Sequence, residues 1–121
     1  MSKNPIDYLL HIRDEASYII SVSNEKLTKE AFLNDETLKR AVIRSLEIIG
    51  EATKKIPADF KLKWNSIKWK NMAGMRDRLI HDYMGVNYAI VWDVIKNKIP
   101  ELYEQINDVI EMKNNFFKLN T

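Results

Sequence analysis

The chain has 121 residues, 45% of them hydrophobic and 30% charged, with a net charge of +2; this is one domain's worth, with the balance of an ordinary globular protein rather than a disordered one. It holds no cysteine, which excludes disulfides, thiolate chemistry and zinc–sulfur sites. Three glycines and three prolines are too few for the tight turns of a β-sandwich or barrel, so long helices with few connections are expected.

Asn4-Pro5 reads as a helix start, a side-chain cap followed by a residue of preset φ that lacks the N–H a first turn cannot use. Ile6, Leu9, Leu10, Ala16, Ile19 and Ile20 then recur at helical spacing, predicting a first helix over 5–23. A short second helix, 28–33, starts at Thr28. Asn34 and Asp35 cap a third, in which Leu38, Ala41, Val42, Ser45, Ile48, Ile49, Ala52 and Ile56 draw one apolar stripe. Off that stripe, Arg40 and Arg44 can pair with Glu47 and Glu51 at three- or four-residue spacing. Pro57 ends the helix, and 57–66 reads as a basic loop with room for one helical turn.

A fourth helix is expected from Ser66 or Trp69 to Asp82, with Met72, Met75, Leu79 and Tyr83 stacked on it, until Gly85 breaks the pattern. Asn87 caps a fifth segment, Tyr88 to Asn97. Pro100 is either a kink or the first turn of a last helix through Leu102, Ile106, Val109, Ile110 and Met112. After Lys113 no pattern is visible. These elements predict an all-α fold, a single domain over 1–121 built as an antiparallel bundle of four to five helices. The opening MSKNPIDYLLHIRDE has no apolar run fit for a signal-peptide core, and no later run nears the roughly 18 residues a membrane crossing needs. A cytoplasmic location is expected, with no membrane partner.

The charge is unevenly placed. From Lys54 to His81, eight cations (Lys54, Lys55, Lys61, Lys63, Lys68, Lys70, Arg76, Arg78) stand against two anions (Asp59, Asp77), giving +6 and leaving −4 for the rest. Such a section is either a polyanion-binding face, with Lys68 and Lys70 as RNA contacts, or a solvated charged loop beside a helix. Metal chemistry has no support: His11 and His81 lie far apart, no His-Glu pair has zinc spacing, and Glu47 and Glu51 lack the Glu-x-x-His partners of a di-iron bundle. A glycine-rich phosphate loop is also missing. Neither metal nor cofactor is expected.

The segment Arg76-Asp77-Arg78-Leu79-Ile80-His81-Asp82-Tyr83 packs titratable and phosphate-binding groups into two turns. Arg76 and Tyr83 fall nearly on one line of a helix, whereas His81 lies roughly 140° around from Arg76. The arginine and histidine converge if the helix ends or bends there, or if a second subunit supplies its own pair. These residues suit ribose-assisted phosphodiester cleavage. RNA carries its own nucleophile, the 2′-hydroxyl, so an enzyme need only move protons and stabilise a crowded phosphate. Histidine suits the proton transfers near neutral pH, and arginine offers a fixed fork of donors to phosphate oxygens. Asp77 can orient either group, and Tyr83 can hold a phosphate or a base. The plainer alternatives are surface charges that complement a helix end, an Asp82–Arg78 pair, and a core tyrosine at Tyr83.

The spacing of arginine, four residues, histidine, one residue and tyrosine resembles the signature of the HepT-like toxins, a branch of the HEPN superfamily. Ile48-Ile49-Gly50-Glu51-Ala52 is similar to that family's long-helix motif, and Trp69-Lys70-Asn71-Met72-Ala73-Gly74-Met75 to its lead-in to the active helix. Tyr88 and Trp92 stand where members carry aromatics. The resemblance spans about residues 5–115 and implies an HEPN-like bundle. It further implies a metal-independent endoribonuclease toxin that acts as a homodimer, with the two motifs lining one cleft. The implied partner is an MntA-like nucleotidyltransferase antitoxin that transfers AMP onto Tyr83. Arg76 would be the phosphate clamp, His81 the proton-transfer residue, and Asp77 and Arg78 supporting groups. Two alternatives come from other classes: a non-catalytic helical module that binds a nucleotidyltransferase, and a structural dimerisation bundle.

Overall fold

A computed structural model of the chain describes residues 4–81 and 85–119, with backbone alone for 76, 78–81 and 114–119. Seven α-helices follow in order: α1 Pro5–Val22, α2 Lys29–Leu33, α3 Glu36–Lys55, α4 Ala58–Lys63, α5 Trp69–His81, α6 Tyr88–Asp93 and α7 Ile99–Leu119. A π-helical turn, Val94–Lys98, joins the last two. No strand occurs among the described residues, so the fold is all-α, as expected.

The starts follow the sequence closely. The Asn4 side chain accepts the Ile6 N–H at 2.9 Å, Thr28 that of Ala31 at 3.1 Å, Asp35 that of Leu38 at 2.9 Å and Asn87 that of Ala89 at 3.0 Å. Each pairs one of the donors that a first helical turn leaves without an internal acceptor. Pro57 ends α3 by forcing Ile56 into extended backbone, φ −74° and ψ 130°. It then serves as the N-terminal flank of α4, so the expected loop is a six-residue helix.

Four long helices pack in succession, α5 on α3, α3 on α1 and α1 on α7. Because α3 has neighbours on both sides, Leu46, Gly50 and Thr53 are buried together with the expected Val42, Ser45, Ile49 and Ala52. One stripe becomes a broad face. Opposite lie Leu9, Ile12, Ala16 and Ile19 of α1, each 0% exposed. The short helices close one end: Phe32 of α2 meets Trp92 of α6 with ring centroids 5.6 Å apart, and the Lys39 ammonium lies 4.5 Å from the Tyr88 ring. Where α1 stops, Lys96 donates to the Ser23 carbonyl at 2.9 Å, a cation on a helix C-terminus.

One expectation is borne out and one corrected. Pro100 falls in the first turn of the last helix, α7, one of the two alternatives the sequence left open. The preceding turn widens to π geometry, with the Ile99 N–H donating to Val94 O, and the ladder absorbs both the missing N–H and the bulky ring. The segment after Lys113, without visible pattern in sequence, continues as helix to Leu119. No described helix is long and apolar enough to cross a membrane.

Candidate functional site

α5 is held firmly at its start. Trp69 is buried, and its indole N–H donates to the Trp64 carbonyl at 3.1 Å. Met72 is buried one turn on. From this anchor the helix runs alongside α3 and carries the backbone of Arg76, Asp77, Arg78 and His81 in its last two turns. Five residues separate Arg76 from His81, which is about 7.5 Å of axial rise on an α-helix. No bend falls between them, since α5 is continuous to His81; of the alternatives the sequence left open, an end of the helix there and a second subunit's pair stand. Asp82 and Tyr83, and with Tyr83 the expected modification site, lie outside the described residues.

Asp77 is the motif residue whose side chain is placed. Its carboxylate accepts from the Lys54 ammonium on α3. This ion pair links the second half of α5 to the central helix between Arg76 and Arg78. It also takes one cation out of the basic section. The two side chains are 37% and 45% exposed, so water screens the pair and it positions more than it stabilises.

Beside the motif lies a groove of about 700 Å³ between α5 on one wall and α6 and α7 on the other. Its floor is apolar, built from Met72, Met75, Val91, Val94, Ile99 and Leu102. Lys68 and Lys70, the two expected RNA contacts, stand on its rim, and Lys98 faces them from the end of the π-helical turn. All three lysines are exposed and none takes part in an ion pair among the described residues. At one end Gln105 closes the groove with a long contact from Nε2 to Ser66 O, 3.5 Å. The segment Gly85–Val86–Asn87 borders the groove as well.

Sequence reasoning missed Lys98, Asn71 and Gln105 as parts of this surface and gave Lys54 no role. Gln105 carried no visible signal, because it meets Ser66 only through the tertiary fold. The aromatics Tyr88 and Trp92 turn out to brace α6 against Lys39 and Phe32, away from the groove's lysine rim. His11 is exposed on a separate cavity of about 410 Å³ between α1 and α3. Among the described residues, no group of three or more His, Cys, Asp or Glu side chains is arranged to hold a metal ion.

Residues 8–109 match the family model described as "Ribonuclease HepT-like". A protein of Caldanaerobacter subterraneus, provisionally named an RNase, is 46% identical over 109 residues, covering 90% of this chain and 96% of its own. One of Thermococcus cleftensis, named "Probable ribonuclease HepT", is 46% identical over 102 residues, 84% of this chain and 92% of its own. A Methanocaldococcus jannaschii protein, also provisionally named an RNase, is 44% identical over 104 residues, 86% and 85% of the two chains. No solved structure matches.

Proposed function

The chain belongs to the HepT-like ribonuclease family, and from that premise we propose that it is a metal-independent endoribonuclease, the toxin of a HepT/MntA-type (type VII) toxin–antitoxin pair. It works in the cytoplasm as a homodimer of one-domain chains. The observation that carries the reading is the placement of Arg76 and His81 in the last turns of α5, beside a groove rimmed by unpaired lysines.

His81, as a neutral imidazole, takes the proton from a ribose 2′-hydroxyl. The freed oxygen attacks the adjacent phosphorus and forms a P–O2′ bond, the bond from phosphorus to the 5′-oxygen breaks, and a 2′,3′-cyclic phosphate remains. The departing 5′-oxygen receives a proton from the histidine of the second copy, so the two motifs act on one phosphate. This resolves the roughly 140° between Arg76 and His81 on a single helix. The Arg76 guanidinium grips the nonbridging oxygens as charge builds on them, where a fixed bidentate fork counts most. Arg78, Lys68 and Lys70 draw the strand in by its phosphates. Asp77 is a supporting group, paired with Lys54 of α3.

Control comes from a nucleotidyltransferase antitoxin that transfers AMP from ATP to the Tyr83 hydroxyl and releases pyrophosphate. Each AMP adds bulk and negative charge in the cleft where an RNA phosphate must sit. The test is cleavage of a mixed single-stranded RNA in excess chelator by the wild-type chain and by Arg76→Ala and His81→Ala. Wild-type cutting should survive the chelator, and each variant should lose about 10²- to 10⁴-fold with its helical spectrum intact. No cutting by any of the three chains, with the effect on a nucleotidyltransferase partner unchanged in the variants, would leave a non-catalytic module that binds that partner. Intact mass of the chain co-produced with its neighbouring gene product should rise by whole AMP units mapping to Tyr83.

A further inference from the structure

The groove between α5 and α6–α7 is larger than phosphate binding requires. Lysines on its rim suffice for a backbone, yet behind them lies an apolar floor, and at its edges stand the neutral amides Asn71 and Gln105, besides Asn87, whose side-chain oxygen caps α6. Ile90 lines it while 48% exposed. Gly74, on the same wall, occupies the middle of α5, where glycine is less stable than alanine. A Cβ there would meet nothing within 4 Å. Among the described residues nothing fills the space a side chain would take there, so a flat group can approach the α5 backbone closely.

We propose that the groove seats one unstacked base of the RNA strand, next to the phosphate gripped by Arg76; the inference rests on the ribonuclease reading above. A base has flat apolar faces and a polar edge. Met72, Met75 and Leu102 suit the faces, and the Asn71 and Gln105 amides, each offering both a donor and an acceptor, suit the edge. Lys68, Lys70 and Lys98 take the flanking phosphates, against one acid among the described lining residues, Glu101. This charge balance favours a polyanion. Gly74 lets the base lie flat on the α5 backbone. Sequence preference is then read here, while the motif itself stays indifferent to the base.

The test uses short single-stranded RNAs that differ only in the bases flanking the cut, incubated with wild type, an Asn71→Ala/Gln105→Ala variant and Ile90→Trp. Wild type should favour one base at one flanking position by about tenfold, in line with amide-to-base readout. The double variant should level that preference, and Ile90→Trp, which fills the groove, should raise KM for every RNA. Thermal unfolding confirms that each variant is folded. An unchanged base profile in a folded double variant overturns the proposal and leaves the ribonuclease reading standing. The reverse is separable with an uncleavable 2′-deoxy tetranucleotide titrated into the wild-type chain by NMR. Shifts at the Asn71, Gly74 and Gln105 amides support the groove even if no RNA is cut, and their absence sinks it. If Ile90→Trp instead turns a dimer into a monomer by sedimentation, the groove belongs to a second copy and the proposal fails.

Discussion

α3 has a neighbour on each side, and the two sides of the bundle are finished differently. Toward α1, Leu9, Ile12, Ile19, Val42, Leu46 and Ile49 are all 0% exposed, and the layer is sealed. Beyond α5, residues of the same apolar type line an open groove, with Ile90 half in solvent and Gly74 facing empty space. Close packing on the first side supplies stability, since buried apolar surface is worth roughly 25 cal/mol per Å². The second side forgoes part of that gain. Of the two described faces, one is sealed and the other is left open.

The contrast is broken most easily by truncation. Leu46→Ala should cost about 2–5 kcal/mol in denaturant unfolding, the range for a fully buried leucine. Ile90→Ala should stay within about 0.5 kcal/mol, as surface changes do. Equal losses would mean that the groove is closed in solution and that the two faces are alike.

Smaller, but more telling, is Gly74→Ala. A methyl group meets no neighbour there, so the helix should gain about 1 kcal/mol, read as a raised melting temperature. RNA cleavage should weaken at the same time, because the methyl intrudes on the strand. A gain in stability with unaltered cleavage would separate Gly74 from the ligand. The smallest effect is expected for Lys54→Gln, which removes the tie to Asp77. Between partners 37% and 45% exposed the loss should be about 0.5 kcal/mol and should vanish in high salt. A larger loss would show that α5 depends on this pair for its seat on α3.

Sequence legibility followed the same divide. The caps at Asn4, Thr28, Asp35 and Asn87, the stop at Pro57 and the buried stripe of α3 are local features, set by residues a few positions apart, and the chain folds as they direct. The arginine–histidine motif was legible for the same reason, since its members share one short segment. The groove was not. Its walls come from separate helices, α5 on one side and α6 and α7 on the other, and Gln105 reaches it only through the tertiary fold. The π-helical turn at Val94–Lys98 adds an extra residue to the ladder and rotates everything after it. The face that α7 presents therefore cannot be extrapolated from α6, and Lys98 looked like one more solvated lysine. Helix after Lys113 was missed because that stretch has few apolar positions at regular spacing.

The most direct measurement concerns the 2′-hydroxyl. An RNA with a single preferred cut is compared with the same strand carrying one 2′-deoxyribose immediately 5′ of the scissile phosphate, both in excess chelator. If Arg76 and His81 act on a nucleophile supplied by the RNA, the deoxy strand should stay intact at that position, and the all-ribose strand should yield a 2′,3′-cyclic phosphate end. Equal cutting of both strands would contradict it.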